Sequence, residues 1–315
     1  MPPTQTAGAA PAPSSTPSPA APREVLIAGG QDDPNIASIA WRAQERGLPA
    51  RVLLVGREHN PSLVWDVQAD RLLLDGEEIR PGAAFIRYDV FAGMADRRKA
   101  VSFRAQAWFT AIQGWMLSHA DVRVANRGYA GQTNKPFMLR LAAECGLPIP
   151  RTLVTNDLAM LDDAPDAVER VAKPVAGGGY CQALPDLLRG SERRDGRAAA
   201  PAIVQERLVA PEVRVYGIGG RYIPFEMRSP SLDYRVSQDA EVLPMRLEDV
   251  DPALVQGLGR LMERLGMEYG AADFKTNPAT GGLTFLEINS GPMFAAFDRA
   301  GDYSVSDARL DWLTA

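Results

Sequence analysis

Residues 269–289, YGAADFKTNPATGGLTFLEIN, decide how the C-terminal half of this sequence folds. Two strand-like runs flank the turn-rich linker NPATG at 277–281, a pattern that predicts a β-hairpin. Folding the hairpin about this turn sets Asp273 opposite or nearly opposite Glu287. Asn289 shares the face of Glu287, because side chains alternate along a strand. Three oxygen donors are therefore predicted to converge.

Oxygen donors in this arrangement are typical of a metal site. Two neighbouring carboxylates repel each other unless a cation lies between them, and Mg²⁺ that bridges nucleotide phosphates prefers oxygen ligands. The alternative is that Asp273 and Glu287 pair with Lys275 or with nearby arginines on a solvated sheet face. The hairpin alone leaves both interpretations open.

A helix N-terminus is predicted around Lys135. Asn134 or Thr133 can cap the helix, and Pro136 suits its first turn. Lys135 would then lie beside free helix amides, where a phosphate meets both an ammonium group and the positive end of the helix dipole. A plain surface lysine is the alternative. The inner face of the helix is predicted to carry Phe137, Leu141 and Cys145.

A second lysine precedes a run of glycines. Pro174 forces Lys173 into an extended conformation, which is typical of a strand end. The glycines that follow permit backbone amides to approach phosphates closely, with a flexible turn as the alternative; they are Gly177, Gly178 and Gly179. No Gly-Lys-Ser/Thr ending follows, so the segment is not a Walker P-loop.

The run EVRVY at 212–216 predicts a strand with Glu212 and Arg214 on one face. Glu212 can accept a hydrogen bond from a ribose hydroxyl, and Arg214 can reach phosphate oxygens in the fork geometry that arginine favours. A cross-strand ion pair is the competing explanation. Arg228 and Arg235 are further cations with the same two interpretations.

The N-terminal part begins with a β-loop-α-β order, which predicts a small Rossmann-like unit. Its strands are expected at 24–28 and 50–55, with helical spacing at 36–47 between them. The GGQDD loop at 29–33 does not have the spaced glycines of a dinucleotide site, which disfavours a Rossmann oxidoreductase. A long helix is predicted at 103–119 with a core stripe of Trp108, Phe109, Ile112 and Met116.

Composition excludes several classes of function. A net charge of -5 disfavours a nucleic-acid partner, and no apolar run approaches the roughly 20 residues of a membrane span. Two cysteines are too few for a disulfide framework, which favours a cytoplasmic location. His59 and His119 lie in segments without an obvious nucleophile, which argues against a histidine triad. Residues 1–22, built from Pro, Ala, Ser and Thr, predict a disordered tail.

Taken together, the order of these motifs from residue 126 onward resembles the ATP-grasp superfamily. The fragments that carry the resemblance are NKPFMLRLAAECGLPIPRTLVTND (134–157), VAKPVAGGGY (171–180), VQERLVAPEVRV (204–215) and FLEINSGP (285–292). They look most similar to the ribosomal-protein-glutamate-ligase-like branch. Within it, PIPRTLVTND at 148–157 resembles the graspetide maturases, the microviridin-type macrocyclases.

This resemblance implies an α/β (α+β) protein: an ATP-grasp fold of two lobes with the nucleotide between them, preceded by a small Rossmann-like pre-ATP-grasp domain. The domains are expected at 23–125 and 126–315, with the small lobe at about 134–207 and the large lobe at about 208–315. The resemblance also implies that Lys135 and Lys173 contact phosphates and that Arg214 and Arg228 assist phosphoryl transfer. Adenine would border Gln205, Glu206 and Leu208, ribose would meet Glu212, and magnesium would be held by Asp273, Glu287 and Asn289.

The function implied is an ATP- and Mg²⁺-dependent ligase that activates a carboxylate as an acyl phosphate and forms an amide or ester, with a ribosomal precursor peptide as one candidate substrate. The sequence departs from the maturases after Asn289, where it reads SGPMF, and features that dock a core peptide are not identifiable. A small-molecule carboxylate-amine ligase and a non-catalytic nucleotide-binding protein therefore stay open. A homodimer is one arrangement that the sequence leaves undecided.

Overall fold

The computed structural model describes residues 23–128, 134–162, 169–176, 180–229 and 240–315. Several features predicted from the sequence lie outside these ranges: the tail at 1–22, Thr133, Arg235, and the three glycines Gly177, Gly178 and Gly179.

A three-stranded parallel sheet opens the fold. β1 (Val25–Gly30) lies between β2 (Ala50–Val55) and β6 (Ala83–Ile86). α1 (Pro34–Glu45) connects β1 to β2, and it begins where the Asp33 side chain accepts a hydrogen bond from the amide of its first turn. This confirms the predicted β-loop-α-β start.

An antiparallel sheet and a long helix cover one side of this unit. α3 buries Ile112, Trp115 and Met116, whereas the predicted Trp108 and Phe109 are only partly buried. The elements are β3 (Leu63–Asp66), β4 (Arg71–Leu74), β5 (Glu77–Ile79), α2 (Val90–Ala95) and α3 (Lys99–Ser118).

The next unit is a small antiparallel sheet with strand order β7-β10-β8-β9. Two short helices pack on it around a core of Leu158, Leu161, Ala172, Leu184 and Val204. The elements are β7 (Thr152–Asp157), α5 (Ala159–Asp162), β8 (Arg170–Pro174), β9 (Gln182–Ala183), α6 (Leu184–Gly190) and β10 (Arg197–Glu206).

A larger antiparallel sheet with strand order β13-β12-β11-β14-β15 follows. Its strands are β11 (Val209–Ile218), β12 (Arg221–Arg228), β13 (Glu241–Pro244), β14 (Tyr269–Thr276) and β15 (Leu283–Asn289). Its helices are α4 (Lys135–Glu144), α7 (Pro252–Arg264), α8 (Ala295–Ala300) and α9 (Ser304–Thr314), and a 3₁₀ turn spans Leu247–Asp249.

Helix α4 packs on the large sheet. Its buried face carries Met138, Leu141, Ala142 and Cys145, which share a core with α7 and with inward residues of β11, β14 and β15. The prediction that Phe137 lies on the inner face is wrong: Phe137 is 49% exposed, because the buried stripe starts one residue later. From the sequence, this helix is expected in the small lobe at about 134–207. In the structure it packs on the large sheet, and the first strand of the small sheet is β7.

The opposite face of the large sheet is half covered. Buried residues of β11, β12 and β14 form one core with α8, α9 and the N-terminal elements β1, α1 and β6. The N-terminal unit and the large sheet therefore share a hydrophobic core. The other half of this face, which carries Arg214 and Asp273, forms the floor of a cavity that Phe297 of α8 also lines.

No helix in the described ranges combines the length and the apolar character that crossing a membrane requires.

His119 at the end of α3 links this helix to the turn between β3 and β4. One ring nitrogen lies 2.7 Å from the Trp115 carbonyl oxygen and the other lies 2.9 Å from a carboxylate oxygen of Asp70. The Trp115 carbonyl, and to a smaller extent Asp70, raise the pKa of His119 above its ordinary value. Protonation therefore stabilises this contact.

We expect His119 to make stability pH-dependent. Because its pKa is higher in the folded than in the unfolded state, its contribution is full below the unfolded value and is lost as pH rises through the folded value. Urea unfolding should show His119→Gln to be destabilised by up to about 1 kcal/mol at about pH 5.5 and by less at about pH 8. His59→Gln, at the exposed second histidine, is the control. A destabilisation by His119→Gln that does not change with pH would contradict this assignment.

Candidate functional site

Charged side chains form a row across three neighbouring strands of the large sheet. Arg214 in β11 is paired in register with Asp273 in β14, and Asp273 is paired with Glu287 in β15. The predicted placement of Asp273 opposite Glu287 is therefore confirmed. Because the three positions are direct cross-strand neighbours, the row follows from backbone register and not from side-chain flexibility.

Each carboxylate in this row contacts a cation. Arg214 donates to both oxygens of Asp273, from Nε at 2.6 Å and from Nη2 at 2.9 Å, and both side chains are almost buried. Lys135 Nζ lies 3.0 Å from Glu287 Oε2. The sequence left open that Asp273 and Glu287 pair with nearby cations, and both do so in this structure. Lys275, which was one of the expected partners, pairs with a different acid.

Lys275 instead pairs with Glu212. Its Nζ lies 3.3 Å from Glu212 Oε2, and both side chains are more than four-fifths buried. Burial, and then the neighbouring charge of Asp273, raise the pKa of Glu212. A second acid–base pair therefore lies beside the first row, on the same face of the sheet.

A β-bulge changes the geometry of the hairpin. Asp273 pairs with Glu287, but Phe274 pairs with Phe285, so Leu286 is an extra residue in β15. Phe285 is buried on the face of the sheet that packs against α4 and α7, whereas both Leu286 and Glu287 line the cavity. A bulge re-aims side chains in this way, and strict alternation does not predict it.

These side chains line a cavity of about 580 Å³ between the large and the small sheet. This volume lies within the range of small-molecule sites, which is roughly 300–1,000 Å³. Most of the residues predicted to bind nucleotide or metal line it, namely Lys135, Lys173, Gln205, Glu206, Leu208, Glu212, Arg214, Asp273, Glu287 and Asn289. They come from both sheets and from the first turn of α4.

Gln205 supplies a polar feature on the small-sheet side. Its Nε2 donates to Thr152 Oγ1 at 2.9 Å, whereas its Oε1 is buried and accepts no hydrogen bond from the residues that the structure describes. A buried acceptor without a partner costs free energy, and such an atom in a ligand cavity is often satisfied by the ligand. Apolar groups of Val171 and Leu208 line the same cavity. This combination fits a planar base with an amino group.

Arg228 does not line the cavity. It lies at the end of β12, is 59% exposed in its side chain, and pairs with Glu226 through a 2.6 Å contact. Its predicted part in phosphoryl transfer remains a prediction, as do the roles of the other site residues.

Sequence reasoning also missed residues that line the cavity. Lys275 appeared in it only as a partner for the acids, although its position two residues after Asp273 puts both on one face. The remaining ones come from β8, from the residue before β9, from the bulge, from the segment after β15 and from α8: Val171, Cys181, Leu286, Ser290, Gly291, Pro292, Met293 and Phe297. Spacing within single strands does not reveal that these segments meet.

The donor set is compatible with magnesium. Asp273 and Glu287 offer carboxylate oxygens from adjacent strands, and Asn289 lines the same cavity. Within the ranges that the structure describes, no group of three or more His, Cys, Asp or Glu side chains is suited to a metal. Mg²⁺ usually takes one or two carboxylates and completes its shell with phosphate oxygens and water. The residues present therefore fit a metal held jointly with a nucleotide.

No protein-family model and no curated protein matches the sequence. Solved structures do match it over nearly its whole length. The ATP-grasp ligase PsnB complexed with minimal precursor has 25% identity and a TM-score of 0.70, with 93% of this chain and 98% of that chain covered. The macrocyclase MdnC bound with precursor peptide MdnA, from Microcystis aeruginosa MRC, has 19% identity and a TM-score of 0.66, with 93% and 99% covered.

A third similar structure is the VanG D-Ala:D-Ser ligase from Enterococcus faecalis, with 14% identity, a TM-score of 0.55, and coverage of 93% of this chain and 98% of that chain. Over more than nine-tenths of its length, the fold of this chain is therefore similar to that of these three structures. The chain has the fold of the ATP-grasp ligases, as the motifs from residue 126 onward predicted.

Proposed function

We propose that this chain is an ATP- and Mg²⁺-dependent ligase that activates a carboxylate as an acyl phosphate and joins it to an amine or a hydroxyl. The observation that carries the proposal is the row Arg214, Asp273 and Glu287, with Lys135 on Glu287, inside a cavity between two sheets. The ATP-grasp fold supports it further.

The two sides of the cavity would hold different parts of the nucleotide. Gln205, Glu206 and Leu208 lie where the small sheet meets the large one, and Glu212 is the first charged residue of β11 beyond them. We assign the base to the first three and the ribose to Glu212. Lys135 and Lys173 would contact phosphates, since both ammonium-bearing side chains line the cavity.

Magnesium would be held by Asp273, Glu287 and Asn289, and when bound it neutralises charge on the phosphates during transfer. The chain's own residues would then position the reactants. Arg214 would face phosphoryl oxygens with a guanidinium that its neighbours already orient, and preorganised charge of this kind lowers the barrier without further rearrangement. A carboxylate oxygen attacks the γ-phosphorus as the bond to ADP breaks, and the acceptor then displaces inorganic phosphate.

We further propose that a ribosomal precursor peptide supplies the substrate carboxylate. Two observations support this choice: the similar PsnB and MdnC structures are complexes with precursor peptides, and the chain covers 98–99% of their lengths. The competing substrate is a small-molecule carboxylate. Incubation with ATP, Mg²⁺, hydroxylamine and either candidate would identify the donor, because hydroxylamine converts acyl phosphates into stable hydroxamates.

The assignment of Gln205 to the base predicts a small effect on stability and a clear effect on binding. Gln205→Met removes a buried acceptor that lacks a partner among the described residues, but it also removes the hydrogen bond to Thr152 Oγ1, so the free energy of unfolding should fall by no more than about 1 kcal/mol. Loss of one hydrogen bond to the base should weaken ADP binding about 3- to 10-fold, measured by calorimetry with Mg²⁺ present. Gln182→Met, at an exposed position of β9, is the matched control. Unchanged ADP affinity in Gln205→Met would remove Gln205 from the base site.

Glu287 tests the metal assignment. Glu287→Ala removes a carboxylate that would hold Mg²⁺, so ADP release in the presence of substrate should fall by at least about 100-fold. Glu78→Ala, which removes an exposed acid of the N-terminal unit outside the cavity, should retain activity. Wild-type rates of ADP release from Glu287→Ala would argue strongly against the ligase mechanism.

A further inference from the structure

The backbone after β15 lines the cavity and is held in place from outside it. Residues 290–293 follow directly after Asn289 and line the cavity beside it. Each of their four carbonyl groups accepts a hydrogen bond from a side chain that is distant in sequence. This segment includes Gly291, which by itself is conformationally free, so its shape depends on these contacts.

Arg87 makes two of these contacts, and it belongs to the N-terminal unit. Its Nη1 donates to the carbonyl oxygens of Pro292 at 2.9 Å and Gly291 at 3.4 Å. Its Nε donates to Asp33 Oδ2 at 2.9 Å, and the side chains of Arg87 and Asp33 are 8% and 0% exposed. A buried guanidinium held by a carboxylate has little freedom to reorient, so it fixes the two carbonyls rigidly.

Asp33 also orients a neighbour of the same segment. Its Oδ1 accepts from the backbone and the side-chain amide of Asn35, at 2.8 Å and 2.7 Å. Asn35 Oδ1 in turn accepts from the amides of Phe294 at 2.6 Å and Ala295 at 2.9 Å. One buried carboxylate therefore sets both Arg87 and Asn35. Together these two contact the backbone at four positions, 291, 292, 294 and 295, the last of which begins α8.

Two further contacts come from the ATP-grasp part. Tyr216 donates its hydroxyl to the Met293 carbonyl at 2.6 Å, and Asn126 donates from Nδ2 to the Ser290 carbonyl at 3.1 Å. The segment is therefore positioned jointly by the large sheet and by the N-terminal unit. None of the residues that hold it from the N-terminal unit lines the nucleotide cavity.

We infer that Arg87, oriented by Asp33, is a positioning residue that places residues 290–293, and with them Asn289, for the chemical step. The inference rests on the proposed ligase function. A displacement of about 1 Å in a reacting group lowers a rate by about 100-fold, whereas the residues assigned to the base, the ribose and the phosphates lie outside this segment. The N-terminal unit thus contributes to catalysis without contacting the nucleotide.

The test compares Arg87→Lys with Arg42→Lys. Lysine keeps a positive charge beside Asp33, but one ammonium group cannot reproduce the two separately directed nitrogens of arginine. Arg42 is a matched control: it also joins the N-terminal unit to a C-terminal helix, through a bidentate pair with Asp307, but it does not contact residues 290–295. ADP release with Mg²⁺, ADP affinity without Mg²⁺, and hydrogen–deuterium exchange of residues 286–294 would be measured in both variants.

We expect Arg87→Lys to lower kcat about 10- to 100-fold while ADP affinity stays within about 3-fold of wild type, and to speed exchange in residues 286–294. Arg42→Lys should leave kcat and this exchange unchanged. If Arg87→Lys does not fold, the double variant Asp33→Asn/Arg87→Gln removes both buried charges together and should show the same kinetic and exchange effects.

Equal exchange and equal kcat in the Arg87 and Arg42 variants would overturn the inference, as would a loss of ADP affinity that matches the loss of kcat. Failure of the proposed function has a different signature: the wild-type chain would release no ADP with any carboxylate. In that case the exchange comparison still decides whether Arg87 positions the segment.

Discussion

The pairing register of β14 with β11 and β15 is the constraint on which the rest of the site depends. It places Arg214, Asp273 and Glu287 side by side. A shift of one residue in the pairing would turn Asp273 toward the face that packs against α4 and α7. The register is held by apolar residues on that opposite face, where Phe274 and Phe285 pack edge-to-face against each other. The hydrophobic core thus determines where the charges lie.

Charge balance in the cavity follows from this register. Asp273 contacts Arg214, Glu287 contacts Lys135, and Glu212 contacts Lys275. Buried carboxylates and cations offset the cost of each other's desolvation. If the proposed function is right, binding of a nucleotide with its metal would replace these ion pairs. The phosphates would attract the cations away from the carboxylates, and the metal would attract the carboxylates. Binding of each should therefore favour binding of the other.

The shared core explains why the N-terminal unit matters to the cavity. Buried residues of β1, α1 and β6 pack with α8, α9 and the large sheet, and the buried ion pair of Asp33 and Arg87 lies at this junction. The four-stranded small sheet has a separate core. One wall of the cavity is thus continuous with the N-terminal unit, and the other belongs to an independently packed sheet.

The sequence by itself determined the local elements: the terminal hairpin with its paired acids, the parallel start, the capped helix at Lys135, and the order of motifs that indicates an ATP-grasp ligase. These depend on alternation, caps and turns, which are properties of neighbouring residues. Only the tertiary structure decided the bulge at Leu286, the one-residue shift that exposes Phe137, the packing of α4 on the large sheet and the side chains that hold residues 290–295. The bulge depends on how β15 packs against α4 and α7, and the other features arise where segments far apart in the sequence meet. Local spacing carries no information about such contacts.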